Sequence, residues 1–155
     1  MTGRIEARLK ELGITLPAVT APVANYLPWV KSGPLVFISG QIGMEGGKPK
    51  FVGTLGATLS VEDGYQAARL CGLNLLTQLK AACEGDLDRV TRVVRLGGFV
   101  HCSADFTDQP KVVNGASDLM VEVFGDHGRH ARAAVGAPNL PLGVAVEVEG
   151  VFEVR

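Results

Sequence analysis

The apolar positions of this chain change period several times, and each change marks an element. Over residues 2–12, Ile5, Leu9 and Leu12 recur at helical spacing among charged residues. This predicts a short amphipathic helix with Thr2 as its cap and Gly13 as its stop. Prolines at 17, 22 and 28 then hold residues 16–28 extended. Residues 29–32 and 34–40 read as two strands turning at Ser32-Gly33. Leu35, Val36, Phe37 and Ile38 form an unbroken apolar run, so the second strand is expected to be buried on both faces. Residues 44–47 read as a hairpin turn and residues 48–52 as a short return strand.

From Ser60 the period becomes helical, with Asp63 three residues on as a short capping box. Val61, Tyr65, Ala68, Cys71, Leu75, Leu76, Leu79 and Ala82 trace one apolar stripe, and Gly85 stops it. Residues 89–102 are β-rich, with Val90, Val94, Leu96, Val100 and Cys102 assigned to one face. Gly97-Gly98 suggests a bulge or a close backbone approach. Pro110 opens a second helix, whose core stripe is Val112, Val113, Ala116, Leu119, Met120, Val123 and Phe124; Asn114 points away from it. The tail alternates. Arg132, Ala134 and Gly136 share one face of a strand over 131–136; Pro138, Asn139 and Pro141 break it. In a strand over 144–154, Val144, Val146, Val148, Phe152 and Val154 oppose Glu147, Glu149 and Glu153. The order β-β-(β)-α-β-α-β-β predicts an α+β domain over residues 1–155. It has a mixed sheet, two long helices on one face, and residues 1–21 as an N-terminal helical extension.

Composition narrows the function. A chain of 155 residues, 46% of them apolar, can build a sizeable core. A net charge of −1 argues against a large phosphate-tracking surface, and so against a nucleic-acid partner. No apolar run approaches membrane-spanning length, and the charged N-terminus lacks a signal-peptide block, so a soluble cytoplasmic protein is expected. Cys71, Cys83 and Cys102 are odd in number and fit neither a zinc nor a disulfide pattern. His127 and His130 lie in a glycine-containing loop beside Arg129 and Arg132, which repel cations, and no metal is expected there. No phosphate-cradling glycine loop and no G-x-S-x-G elbow is present. What remains is Arg132, whose planar fork suits a carboxylate, and Glu147, which can hold or activate a water. A structural Arg–Glu cross-strand pair is the competing reading, and both readings place the two groups close together.

Several landmarks stand in a recognisable order. They are Tyr26; Gly33-Pro34-Leu35-Val36-Phe37-Ile38-Ser39-Gly40-Gln41-Ile42; Gly85-Asp86-Leu87-Asp88-Arg89-Val90; Val113-Asn114; Ala131-Arg132; Leu140-Pro141; and Val146-Glu147-Val148-Glu149. Together, over residues 22–155, they resemble the RidA/YjgF family, also described as endoribonuclease L-PSP-like. The resemblance implies a chorismate-mutase-like α+β fold, a homotrimer with clefts between subunits, and no cofactor. It implies a 2-iminobutanoate/2-iminopropanoate (enamine/imine) deaminase releasing 2-oxo acids and ammonia. Arg132 is then expected to bind the substrate carboxylate and Glu147 to place the attacking water, with Tyr26, Ser39, Gly40 and Asn114 lining or supporting the cleft. Where many members carry a cysteine two residues after the arginine, this chain has Ala134, which excludes a thiol role there. The alternatives are a non-catalytic trimer that binds a small carboxylate and an endoribonuclease of the translation-inhibitor kind. Chorismate mutase activity follows from fold analogy alone.

Overall fold

The sheet is assembled out of chain order. In the structure, a computed structural model describing residues 2–19 and 24–155, the elements are α1 (Arg4–Glu11), β1 (Trp29–Ser32), β2 (Leu35–Ile42), β3 (Met44–Glu45), β4 (Lys48–Pro49), α2 (Val61–Ala82), β5 (Val90–His101), α3 (Gln109–Phe124), β6 (Ala131–Ala137) and β7 (Val146–Val154). Pro22, within the segment expected to be extended, lies outside the described residues. The five main strands run β1-β2-β7-β5-β6. Only β5 and β6 are parallel, and α3 is the crossover that a parallel pair requires. The β3–β4 hairpin stands apart and turns at Gly46-Gly47. The return strand is only Lys48–Pro49, shorter than expected: after a last bond from the Lys50 N–H to the Gly43 carbonyl at 2.8 Å, Phe51 turns the chain away with a φ of 57°.

Both long helices lie on one face. Val36, Ile38, Val93, Leu96, Val100, Val146, Val148 and Phe152 point at them and are buried. Ser60 caps α2 as expected: its hydroxyl accepts from the Asp63 N–H at 3.1 Å, and the Asp63 carboxylate accepts from the Ser60 N–H at 3.0 Å. These two bonds hold the Asp63 carboxyl below its usual range. The helices touch through glycine. A Cβ on Gly115 would stand 2.9 Å from the Tyr65 carbonyl carbon and 3.0 Å from the Arg69 nitrogen of α2. Around that contact the Tyr65 phenol donates to Asp118 at 2.7 Å, and Arg69 pairs with Glu122 at 3.1 Å.

Four local expectations are corrected. Thr2 does not cap α1. The Asp88 carboxylate, distant in sequence, accepts from the Arg4 and Ile5 N–H groups at 2.8 Å each, which ties the helix to the turn before β5 and lowers the Asp88 pKa. In β5 the buried residue is Val93 rather than Val94, because register shifts at 90–92 and 93–95 invert the alternation. Of the two readings of Gly97-Gly98, the close backbone approach holds: a Cβ on Gly98 would lie 2.6 Å from the Val113 methyls of α3. Val144 is outside the last strand and bridges to Val52.

The fourth correction bears on function. The apolar run of β2 is not buried on both faces. Val36 and Ile38 are covered, whereas Phe37 is 44% exposed. Pairing places Phe37 beside Val30 and Val151 on the face that carries no helix. Val135, at the far edge of that face, is 48% exposed. One side of the sheet therefore presents apolar residues to the outside.

Candidate functional site

Arg132 lies on β6, an edge strand, and its register partner Leu96 is fully buried under the helices. Paired residues share a face, so the Arg132 side chain leaves the sheet on the helix side and runs along α3. Its Nη1 donates to Asn114 Oδ1 at 2.8 Å and to Ser117 Oγ at 3.1 Å, and its Nη2 reaches the Pro110 carbonyl at 3.4 Å. All three acceptors are neutral. Among the described residues no carboxylate forms an ion pair with this guanidinium, so its charge is oriented without being cancelled. Asn114 and Ser117 are one helical turn apart on the exposed flank of α3, the spacing that lets both reach one group.

The loop before β6 adds a further group. His130 Nδ1 lies 2.6 Å from the Gly128 carbonyl oxygen, and its Nε2 lies 2.8 Å from Ser117 Oγ. Burial, and then the Arg132 charge, hold its imidazole below the usual histidine range. Gly128 is needed where it is, because a Cβ there would run into the backbone of α3 at Met120 and Val121.

Glu147 belongs to the other side of the sheet. It pairs with Phe99 of β5 and lies one residue from each of the buried Val146 and Val148, so its side chain takes the alternate, helix-free face. Burial, and secondarily Glu149, push its carboxyl above the usual carboxylate range. Gly40 makes room for it: a Cβ at that position would sit 3.0 Å from the Glu147 Cδ and closer still to Oε1. Gly40 falls in the register shift of β2 between Ile38 and Gln41. Beside it, Ser39 Oγ donates to the Leu27 carbonyl at 2.7 Å and so fastens the segment before β1 to β2. Tyr26 lies on that segment and is 54% exposed. A shallow hollow on the same face is lined by Val30, Phe37, Ser39 and Val151, with Arg95 and Glu149 at 3.5 Å from each other.

The sequence-based pairing of Arg132 with Glu147 is thus corrected. β6 and β7 are not neighbours; β5 runs between them. The two side chains leave the sheet on opposite faces. Within one chain the structure gathers Arg132 with Asn114, and separately Glu147 with Gly40, Ser39 and the Tyr26 segment. Neither reading made from spacing, the cross-strand pair or the shared cleft within one chain, holds. Sequence reasoning assigned no role to His130 or to the Ser117 hydroxyl at this site; the i, i+3 spacing of Asn114 and Ser117 was the available signal. Among the described residues, no group of three or more His, Cys, Asp or Glu is arranged to hold a metal. No described helix is long and apolar enough to cross a membrane.

A mixed sheet under two helices packed side by side in the same direction, with an arginine on one edge and a glutamate on the uncovered face, defines a known class. Residues 6–153 match the family model described as "YjgF/chorismate mutase-like, putative endoribonuclease". The chain belongs to this family. The match begins within α1, so the relationship extends into the N-terminal helix. Protein TCP17 of Trypanosoma cruzi is 50% identical over 155 residues, covering 99% of this chain and 96% of its own length. The 2-iminobutanoate/2-iminopropanoate deaminase of Dermatophagoides farinae is 30% identical over 142 residues, covering 92% of this chain and 95% of that protein. The crystal structure of Atu1372 from Agrobacterium tumefaciens, a protein of unknown function, superposes with a TM-score of 0.90 at 47% identity over 97% of this chain and 92% of that one.

Proposed function

We propose that the protein is an enamine/imine deaminase acting at a site completed by two copies of the chain. The observation that carries this reading is the state of Arg132: a guanidinium aimed by three neutral acceptors and left without an anion. Such a group takes a carboxylate, because its remaining N–H donors make parallel charge-assisted bonds. Glu147 supplies the second function. A carboxyl with a raised pKa on a half-buried face is a better base than an ordinary glutamate and holds a water by accepting its proton. In a 2-imino acid, the carboxylate binds Arg132 and the water on Glu147 adds to the imine carbon. Both protons of the water pass to the nitrogen through Glu147, the first as the new C–O bond forms and the imine π bond opens, the second from the resulting hydroxyl as the C–N bond breaks, and a 2-oxo acid and ammonia leave. Water supplies the only oxygen, and no electrons change hands, so no redox cofactor enters the balance.

The separation of Arg132 from Glu147 within one chain supports the inter-subunit form of the site. The uncovered face bearing Glu147 also exposes Val30, Phe37 and Val135, an apolar patch suited to a second copy. A partner seated there by its Arg132 edge makes a head-to-tail contact, which closes into a ring when the rotation between neighbours divides the full turn evenly. The ring proposed is a homotrimer in the cytoplasm.

A coupled assay tests the reading. An amino-acid oxidase generates imino acids in place, semicarbazide traps what persists, and wild type is compared with Arg132→Ala and Glu147→Gln. Wild type is expected to clear the imine and release ammonia, with both variants folded and slow. Full activity in Arg132→Ala overturns the carboxylate role. Ligand-induced stabilisation by 2-oxobutanoate without ammonia release assigns the chain to binding instead of turnover.

A further inference from the structure

We propose that His130 is a positioning residue for Arg132: acting through the Ser117 hydroxyl, the neutral imidazole aims the guanidinium, and its protonation weakens carboxylate binding. The inference rests on the carboxylate role of Arg132 proposed above and adds to it a pH-sensitive control that the chain carries within one subunit.

The argument begins with an atom that has only one option. A carbonyl oxygen can only accept, so at 2.6 Å from the Gly128 carbonyl His130 Nδ1 must carry the hydrogen. In the neutral ring Nε2 is then an acceptor. Its neighbour at 2.8 Å is Ser117 Oγ, so the serine hydrogen points at the ring. The lone pairs of that oxygen are left facing Arg132, whose Nη1 donates to it at 3.1 Å. The second hydrogen of Nη1 goes to Asn114 Oδ1 at 2.8 Å. With both Nη1 hydrogens committed and one Nη2 hydrogen turned to the Pro110 carbonyl at 3.4 Å, the guanidinium is fixed about its long axis, and the Nε–H and the second Nη2 hydrogen are left for a carboxylate fork.

Protonation breaks this sequence at its middle. Nε2 gains a hydrogen, and Ser117 Oγ then receives donors from two cations while its own hydrogen must turn elsewhere. The surroundings offer no compensation. From β6 the charged group facing the ring is Arg132. From α3 the facing groups, Ser117 and Asn114, are neutral; Asp118 is bonded to Tyr65 and Glu122 to Arg69. In the preceding turn Asp126 and Arg129 are paired with each other, and from β5 Arg92 donates to the Arg129 carbonyl. The direction of the His130 shift agrees: burial, the largest cause, and the Arg132 charge favour the neutral ring and together outweigh the opposing pull of the Gly128 carbonyl.

The test measures binding of 2-oxobutanoate by calorimetry from about pH 8 to about pH 5, the range over which histidine titrates. The ligand carboxyl stays ionised throughout. Wild type is expected to lose about tenfold in affinity across this range, the size of one charged hydrogen bond. His130→Gln keeps a neutral side-chain acceptor for Ser117 and cannot titrate, so it should bind near wild-type strength at the alkaline end and lose the acid limb. Nitrogen NMR of the wild-type ring should show the Nδ1–H tautomer, and this readout needs neither ligand nor variant. An acid limb in His130→Gln equal to that of wild type, or an Nε2–H tautomer, overturns the inference. Arg132→Ala separates the two levels. If it binds 2-oxobutanoate as wild type does, the carboxylate role itself falls; if binding is lost there but the limb persists in His130→Gln, only the His130 role falls.

Discussion

Placing one methyl group at two different glycines should separate catalysis from stability. At Gly40 a Cβ would stand 3.0 Å from Glu147 Cδ and 3.2 Å from its Cγ. Ordinary carbon contacts lie at about 3.5 Å, so with Oε1 nearer still the carboxylate must retreat by about 1 Å. The obstacle is the end of a flexible side chain, and Gly40 does not occupy the left-handed region, so the backbone accepts alanine. Gly40→Ala is therefore expected to change stability by less than about 1 kcal/mol. A displacement of about 1 Å in a group that places the attacking water lowers turnover by about 100-fold. At Gly115 the same methyl meets main chain: the Tyr65 carbonyl carbon at 2.9 Å and the Arg69 nitrogen at 3.0 Å. Nothing there can swing aside, so the two helices must part. Overpacking of this kind costs about 1–3 kcal/mol, against a gain of about 1 kcal/mol in helix propensity. In a chain of this size the upper half of that net cost lowers Tm by about 2–8 °C. Differential scanning calorimetry and the imine-clearance assay on both variants check the contrast. Wild-type turnover in Gly40→Ala would falsify the role given to Glu147. A Tm loss in Gly40→Ala matching that of Gly115→Ala would show that the carboxylate is wedged and not free to move.

Two further outcomes follow from titrating groups. Folding raises the Glu147 pKa, so the folded chain favours the protonated carboxyl; its contribution is favourable at low pH and is lost as pH rises through the raised pKa. Glu147→Gln should accordingly show a Tm at neutral pH no lower than wild type while being inactive, and a clear drop in Tm would contradict the origin assigned to the shift. The bond to Asp118, with burial second, pushes the Tyr65 phenol from 10.0 to about 12. Its stabilising contribution is complete below the unfolded value and disappears as pH rises through about 12. Ultraviolet titration should find a late-ionising phenol in wild type that is absent from Tyr65→Phe.

The elements were legible because their apolar periods were long and clean. The α2 and α3 stripes, the Ser60 capping box and the alternation of β7 each follow from local sequence. What local sequence did not carry was neighbour identity. Leu35-Val36-Phe37-Ile38 reads as doubly buried, yet whether Phe37 is covered depends on what lies across the sheet and not on its own neighbours in the chain. Val93 replaced Val94 in the core because the register shifts of β5 are set by pairing with β7. Asp88 caps α1 from more than eighty residues away. The candidate site failed in the same way: Arg132 and Glu147 are close in sequence and lie on strands, but insertion of β5 between those strands is a topological fact that no spacing encodes.

That insertion has a consequence for inheritance. If each working centre draws its arginine from one chain and its glutamate from the next, a chain lacking Arg132 and a chain lacking Glu147 are defective in different halves. Produced separately, each is dead. Produced together, they assemble at random into mixed rings, and about one quarter of the junctions unite an intact arginine with an intact glutamate. Two null alleles would then complement one another within a single gene, and one defective allele would poison some junctions of its healthy partner while leaving others whole.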